Sequence, residues 1–276
     1  MIFSDEWKTK LEEGSEAQIA AAFKALHLSG MAMAFQEQEN MLSTFGEMPF
    51  CKRLGMICEK EIEQRENSAL QKRLRDARLS NSSACMEKLD ERKSRKMNME
   101  LVYQLGSCSF IEDKRHVSIE GATGTGKTYL ANALGNAACR AGYKVRNTRL
   151  ADLLNEMVAA RARGEADKVK NYYTKYDLLI LDEWLMHPLG AGISFELLEL
   201  IDSCCGKSSM IFCTQYPHSE WYGRIDIERP EGAGSTLAEA ILDRIIHHMS
   251  VVTISTSESM RSFYDAKGEN TNSKNK

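Results

Sequence analysis

The sequence contains no apolar run approaching the roughly 20 residues needed to cross a bilayer, and its N-terminus, MIFSDEWKTK, is too polar for a signal peptide. The eight cysteines show none of the paired spacings of metal ligands, which favours reduced thiols over zinc sites or disulfides. Internal repeats are absent as well. These absences lead us to expect a cytoplasmic protein with no membrane partner.

Charge is distributed unevenly along the chain. The 276 residues carry a formal net charge of −3, from 36 Lys and Arg against 39 Asp and Glu. Residues 60–96 nevertheless hold eleven basic and seven acidic side chains. Such a local basic excess indicates either a polyanionic partner or a solvated helix face.

Two structured regions and a tail are predicted. Residues 1–98 show helical periodicity and no convincing strand, with a long helix expected over residues 52–79. Over residues 99–263 buried strands alternate with helices, which predicts a parallel, doubly wound α/β sheet. The expected strands are 116–120, 144–148, 177–182, 209–214 and 251–254, and the expected helices 127–141, 150–162, 195–204 and 236–249. Residues 264–276 are poor in apolar residues and are expected to be disordered.

A glycine-rich loop follows the first predicted strand. The stretch GATGTGKT matches the phosphate-loop pattern GxxxxGK[ST] in full, with a strand before it and a helix after it. Backbone N–H groups of such a loop, and the N-terminus of the next helix, bind phosphate. Lys127 is expected to reach the β- and γ-phosphates of ATP, and Thr128 to bind Mg²⁺ through its hydroxyl. The predicted nucleotide-binding residues are Gly121, Ala122, Thr123, Gly124, Thr125, Gly126, Lys127 and Thr128.

An acidic pair ends the apolar strand LLILD. Asp182 is expected to hold the Mg²⁺ shell, and Glu183 to act as the base that polarises an attacking water. The alternative is an acidic strand end that only caps a helix. The adjacent pair favours hydrolysis of the nucleotide over simple storage.

Two further polar residues complete the predicted catalytic set with Glu183 and Lys127. Gln215 follows the next strand and is expected to sense the γ-phosphate and help to place the water, unless it is a plain strand-to-loop boundary. Arg244 lies on a helix after the core strands, where it could complete a neighbouring subunit's site as an arginine finger. Its alternative is a local ion pair with Glu239 or Asp243.

With these elements in order, the chain resembles the IstB-like transposition helper ATPases of insertion sequences, relatives of the DnaC-type helicase loaders in the AAA+ class. The resemblance runs from about residue 26 to residue 260. The blocks that carry it are LSGMAMAFQEQ, RENSALQKRLRDARL, GTGKTYLANALGNAACRAGYKV, YDLLILDEW, and TLAEAILDRIIHHM followed by SMR. The run ALGNAACRAGY is specific to the family, since nucleotide chemistry does not demand those residues.

The resemblance implies a P-loop AAA+ core preceded by a small all-helical domain. It also implies ATP-dependent assembly of a homo-oligomer on duplex DNA, which presents a transposition target to a partner transposase and stimulates it. Two positions depart from the family pattern. Glu183 stands where an aspartate is more common, and Leu185 stands where a glycine is more common. The segment 225–234 is also longer than expected.

The basic residues of the predicted long helix are candidates for contact with DNA phosphates. No aromatic residues interleave with them, which favours binding to the backbone over reading of bases. The predicted DNA-binding residues are Arg65, Lys72, Arg73, Arg75 and Arg78. Three other functions remain open: a helicase loader that differs in its partner, an ATP-gated DNA scaffold without a need for turnover, and a metabolite kinase.

Overall fold

The computed structural model describes residues 15–89, 95–228 and 234–256. Its chain divides into two compact units, with the division between Lys72 and Arg73. The division falls inside one long helix, ahead of the domain limit we expected near residue 98. The predicted disordered tail lies outside the described residues, and our domain limits stay a prediction.

The first unit consists of helices. They are α1 (Glu16–Ala25), α2 (Ser29–Asn40), the short α3 (Leu42–Phe45) and the first part of α4 (Phe50–Ala77). Gly30 is required where α2 meets α4, because a Cβ there would lie 2.8 Å from the Cα of Glu61. The buried Glu61 carboxylate accepts hydrogen bonds from the backbone N–H groups of Gly30 (2.8 Å) and Met31 (3.2 Å) at the start of α2. A carboxylate at a helix N-terminus also opposes the helix dipole favourably.

The second unit is built on a parallel sheet of five strands. In chain order after the two-residue β1 (Arg95–Lys96), they are β2 (His116–Glu120), β3 (Val145–Arg149), β4 (Leu178–Asp182), β5 (Ser209–Thr214) and β6 (Met249–Thr253). The spatial order is β3-β4-β5-β2-β6, and every pair is parallel. This confirms the predicted doubly wound sheet. The strand β1 pairs antiparallel with β7 (Ser255–Thr256), and these two-residue strands are too short for periodicity to predict.

Seven α-helices, besides the end of α4, lie in the described part of this unit. They are α5 (Met99–Gly106), α6 (Ser109–Glu112), α7 (Lys127–Arg140), α8 (Leu150–Ala162), α9 (Ala166–Tyr173), α10 (Ala191–Cys204) and α11 (Thr236–Ile246). The helix α10 begins four residues before the expected Phe195, directly after the extended Gly190. Its first turn carries no side-chain cap, so the sequence offers no strong start signal there. None of the helices in the described ranges is long and apolar enough to span a bilayer.

An aromatic cluster fills the core beneath the ends of β4 and β5. The rings of Trp184 and Phe212 are 4.5 Å apart between centroids, and Trp221 lies 5.5 Å from Trp184 and 5.6 Å from Phe212. All three side chains are buried. Aromatic pairs at these separations contribute about 0.5–1.5 kcal/mol each beyond their burial. The two tryptophans are therefore packing residues that anchor the loops after β4 and β5.

Residues 79–84, which we call the strap, run along one face of α7. The amide of Asn132 donates to the hydroxyl of Ser80 (2.7 Å), and the amide of Asn136 donates to two strap carbonyls at 3.0 and 2.9 Å. Both asparagines are buried. Because a buried amide without partners would cost about 1–3 kcal/mol, these bonds fix the strap on α7.

Gly135 lies between the two asparagines on the same face of α7. A Cβ at this position would come within 2.9 Å of Leu79 in the strap and 2.8 Å of Ile180 in β4. One turn further on, the carbonyl of Cys139 accepts from Nε of Arg73 at 2.9 Å. These contacts explain the run ALGNAACR, whose polar and small residues serve the packing of the strap rather than the nucleotide.

His116 makes the stability of this unit depend on pH. The imidazole is 5% exposed, and its Nδ1 accepts a hydrogen bond from the backbone N–H of Met210 at 3.2 Å. Burial, with a smaller contribution from the charge of His248, lowers the pKa of His116 from 6.5 to about 4. Between these two values the unfolded chain binds more protons than the folded chain. Folding stability therefore rises with pH through this window.

We expect the free energy of unfolding to rise by roughly 3 kcal/mol from this residue as the pH increases from about 4 to 6.5. His116→Asn, whose side-chain oxygen can still accept from Met210, should remove most of this dependence. Urea unfolding at a series of pH values measures the slope of the unfolding free energy against pH for the wild-type protein and for the variant. Equal slopes for the two proteins in that window would contradict the assignment.

Leu185 holds a backbone conformation that leucine rarely adopts. Its φ is +50°, and its side chain is fully buried in the core. This is the position at which the family resemblance leads us to expect glycine, which adopts positive φ without a steric penalty. A left-handed conformation costs an L-residue about 1–2 kcal/mol. Burial of the leucine side chain offsets that cost.

Replacement of Leu185 should therefore reverse the usual order of alanine and glycine. Leu185→Ala and Leu185→Gly should both lose about 2–5 kcal/mol through the cavity that they leave. The glycine variant should be the more stable of the two by about 1 kcal/mol, because it relieves the strain. At the fully buried Leu197 in α10 the alanine variant should be the more stable, as in ordinary helices. Denaturant unfolding of the four variants tests this, and the same order at both sites would refute it.

Candidate nucleotide site

The sheet order brings three strand ends together at one edge. The strand β5 lies between β2 and β4, and all three run in the same direction. The loops that begin at Gly121, Glu183 and Gln215 therefore leave the sheet side by side. Ligands of doubly wound sheets bind at the carboxyl ends of the strands, so this edge is the candidate site.

The glycines of the phosphate loop take conformations that suit a phosphate cradle. Gly124 and Gly126 have φ values of +83° and +93°, in the left-handed region. Gly121 has φ +156°, and a Cβ on it would lie only 2.3 Å from the carbonyl oxygen of Ile254. The loop therefore needs glycine for conformation at two positions and for close approach at the third.

Lys127 begins α7 and lies over the loop. Its Nζ donates to the carbonyl oxygens of Gly121 (2.7 Å) and Ala122 (2.8 Å). Thr125 Oγ1 also donates to the Ala122 carbonyl at 2.9 Å, which braces the same turn. The ammonium group is thus held at the concave side of the loop, where a phosphate oxygen can replace a carbonyl as its partner.

Thr128 and Asp182 meet across the site. The Thr128 hydroxyl lies 3.2 and 3.4 Å from the two carboxylate oxygens of Asp182. A hydroxyl and a carboxylate are hard oxygen donors of the kind that Mg²⁺ takes in phosphate sites. The residues present therefore fit the expected ion, which they would hold together with phosphate oxygens.

Glu183 occupies a strained position next to this pair. Its φ is +56°, and its backbone N–H donates to Asp182 Oδ1 at 3.0 Å. The side chain is exposed, and Glu183 Oε1 is 3.7 Å from Nε of Arg149 at the end of β3. Strained residues persist only where the surrounding structure holds them in place, and they are common at functional sites. Buried Trp184, directly after it, supplies that support.

Gln215 is brought to the phosphate loop as its strand position predicts. Its Oε1 accepts a hydrogen bond from the Thr123 hydroxyl at 2.8 Å. Sequence reasoning missed two other polar groups at this edge, Arg149 beside Glu183 and Glu120 beside the loop after β5. Neither belongs to a motif, so the strand order alone could have pointed to them.

Arg244 lies on α11 and is engaged within its own chain. It forms an ion pair with Asp202 of α10 and donates to the carbonyl of Ala240 at 2.6 Å. Within the described ranges it forms no ion pair with Glu239 or Asp243, and it does not join the strand ends described above. The role of an arginine finger for a neighbouring subunit stays a prediction.

The five predicted DNA-binding residues have different surroundings. Arg65 pairs with Glu61 at 2.7 Å within the first unit, and Arg73 is tied to the Cys139 carbonyl within the second. Lys72, Arg75 and Arg78 are exposed, and their side chains form no hydrogen bond or ion pair in the part of the chain that the structure describes. These three have the greatest freedom to meet a polyanion.

Comparison with known proteins identifies a family of ATP-binding proteins. The family described as IstB-like ATP binding protein matches residues 21–267. The chain is similar to an insertion sequence IS1162 ATP-binding protein of Pseudomonas fluorescens, at 35% identity over 70% of this chain and 84% of that protein. It is also similar to the insertion sequence ATP-binding protein y4pL of Sinorhizobium fredii, at 33% identity over 85% and 91% of the two chains.

Two solved structures resemble the fold at a lower level. A DNA replication initiation factor gives a TM-score of 0.49 at 21% identity, over 70% of this chain and 56% of that chain. The DnaC helicase loader gives a TM-score of 0.49 at 15% identity, over 62% and 97%. The five-stranded parallel sheet with its phosphate loop agrees with the predicted doubly wound P-loop core, and the helices of the first unit agree with the predicted helical N-terminal region. With its family match spanning most of its length, the chain belongs to the IstB-like ATP-binding proteins.

Proposed function

We propose that this protein is an ATP-dependent transposition helper. It assembles on duplex DNA, selects the target and stimulates a partner transposase, and ATP hydrolysis drives its disassembly. The observation that supports this most directly is the meeting of Lys127, Thr128 and the pair Asp182-Glu183 at one sheet edge. The insertion-sequence origin of its relatives supports the biological setting.

The proposed hydrolysis uses groups already at the site. The loop N–H groups and Lys127 bind the phosphates, and Thr128 with Asp182 would hold Mg²⁺, which neutralises charge on the phosphate oxygens. Glu183 accepts a proton from the attacking water, for which it must turn away from Arg149. Gln215 gives up the bond that it accepts from Thr123 and donates through its side-chain N–H to the γ-phosphate or to the oxygen of the water.

The proposed assembly uses Arg244 as the link between subunits. Its pair with Asp202 is partly exposed, with 33% and 45% of the two side chains accessible. Exposed pairs of this kind contribute only about 0–1 kcal/mol. The γ-phosphate of a neighbour carries more negative charge than the Asp202 carboxylate, so the exchange of partners is favourable. Cleavage of the γ-phosphate then removes the link.

Two variants separate assembly from disassembly. Lys127→Ala should abolish ATP-dependent assembly on duplex DNA, because the loop then lacks its cation for the β- and γ-phosphates. Glu183→Gln should still assemble, but hydrolysis should fall at least about 100-fold and the assembly should persist, since the base is missing. Light scattering with ATP and DNA, followed over time, measures both.

ADP in place of ATP serves as the matched control. It should give no assembly with the wild-type protein, the Lys127→Ala variant or the Glu183→Gln variant. Assembly of the Lys127→Ala variant at the wild-type level would refute the nucleotide link. Normal disassembly by the Glu183→Gln variant would refute the role of hydrolysis and favour an ATP-gated scaffold.

The three exposed basic residues give a separate test of DNA binding. Removal of one contact with a DNA phosphate should reduce the slope of log affinity against log salt concentration by about 0.9. The triple variant Lys72→Ala, Arg75→Ala, Arg78→Ala should therefore bind duplex DNA more weakly, with a slope smaller by about 2–3. Fluorescence anisotropy across a salt series measures the slope.

Arg73→Ala is the control for that experiment. It removes an adjacent positive charge whose guanidinium is bound to the Cys139 carbonyl, so it should lower stability and change the salt slope little. An unchanged slope in the triple variant would show that DNA binds elsewhere on the protein.

A further inference from the structure

A buried carboxylate ends β2 directly before the phosphate loop. Glu120 is 6% exposed, and its Oε1 has three polar neighbours on the inner side of the loop. The Ser118 hydroxyl donates at 3.0 Å, the backbone N–H of His218 at 3.1 Å, and the His218 ring nitrogen Nδ1 lies at 3.1 Å. Neither the phosphate-loop pattern nor the acidic strand end uses this residue.

His218 belongs to the loop that carries Gln215. The start of that loop is fixed by the backbone N–H of Tyr216, which donates to Thr214 Oγ1 at 3.1 Å. Its middle is fixed by the indole of Trp221, which donates to the Tyr216 carbonyl at 3.1 Å. The contact between His218 and Glu120 ties the middle of this loop to the end of β2, and hence to the phosphate loop.

Contacts on two sides join the phosphate loop to the loop after β5, and together they form a closed ring. On the outer side, Gln215 accepts from Thr123 of the phosphate loop. On the inner side, His218 is held by Glu120, one residue before that loop begins. The backbone N–H of Gly121 also donates to the Thr214 carbonyl at 3.2 Å. A shift of either loop would break the contacts between Glu120 and His218 and the bond between Gly121 and Thr214, which remain when the side chain of Gln215 turns to the nucleotide.

We propose that Glu120 is a positioning residue that, through His218, sets the distance between Gln215 and the γ-phosphate. A buried carboxylate is costly unless several donors satisfy it, so a strand end that needed only packing would gain more from an apolar residue. The donors to Glu120 come from β2 and from the loop after β5. These two elements must keep a fixed relative position if Gln215 is to lie at a constant distance from the phosphate loop. This inference rests on the proposed role of Gln215.

The proposal predicts a loss of selectivity for the triphosphate rather than a general loss of binding. Glu120→Ala should lower the affinity for a non-hydrolysable ATP analogue about tenfold relative to ADP, which corresponds to the loss of roughly one hydrogen bond to a charged group. Turnover of ATP should fall while the affinity for ADP stays within about twofold. Titration with a fluorescent ADP, competed by ADP or by the analogue, measures the ratio.

Four further variants isolate the cause. Glu120→Gln keeps an oxygen that accepts from Ser118 and from the His218 N–H, so it should restore most of the selectivity. His218→Ala keeps the backbone donor and should give a smaller shift in the same direction. In a Gln215→Ala background, Glu120→Ala should have little additional effect on selectivity. The side chain that Glu120 positions is already absent there, so the two substitutions are not additive.

Each outcome decides the question. Equal losses of ADP and analogue binding in Glu120→Ala, or full additivity with Gln215→Ala, would show a purely structural residue and overturn the proposal. If Glu120→Ala fails to fold, unchanged selectivity in His218→Ala overturns it instead. A wild-type protein that neither prefers the analogue over ADP nor hydrolyses ATP would refute the proposed function itself, and this inference with it.

Discussion

The parallel pairing of β5 between β2 and β4 is the constraint on which the site depends. Each strand in this trio delivers one loop to the same edge, and each loop carries a different chemical group. The phosphate loop supplies N–H donors and Lys127, the β4 end supplies two carboxylates, and the β5 end supplies the amide of Gln215. An order that separated these strands would carry at least one of the three loops out of reach of a single nucleotide.

Apolar contacts and hydrogen bonds contribute differently to the position of these three loops. The aromatic cluster of Trp184, Phe212 and Trp221 packs against the loops after β4 and β5 on the core side. The hydrophobic effect that stabilises this packing has no preferred direction. The polar contacts above it are directional, and they set which atoms face the ligand. The strained backbone at Glu183 and Leu185 is stable because buried side chains flank it.

The sequence predicts the elements of the site better than their connections. A strand, a glycine loop and a helix in that order identify the phosphate site, because few other folds need GxxxxGK[ST]. The long apolar runs of β4 and β5 predict buried strands, and the acid and amide that follow them predict the edge. Periodicity missed α5, α6 and α9, which are only 8, 4 and 8 residues long, and the start of α10, whose first turn has no side-chain cap.

The contacts between distant residues could not be read from the chain. Nothing in the sequence pairs Glu120 with His218, or Arg149 with Glu183, because each pair depends on which strands are neighbours. Arg73 and Arg78 look alike as basic residues of one segment. Only the fold shows that the first is tied to the Cys139 carbonyl and that the second is exposed.

The strap has a consequence for any attempt to isolate the ATPase part of the chain. A truncation that began at residue 99, where strand-helix alternation starts, would remove the cover from α7. The amides of Asn132 and Asn136 would lose their acceptors in the strap, and Leu79 would no longer cover Gly135 on the helix that begins at Lys127. Because Arg73 also donates to the Cys139 carbonyl of α7, a fragment that keeps all of these contacts begins at or before Arg73, within the long helix itself.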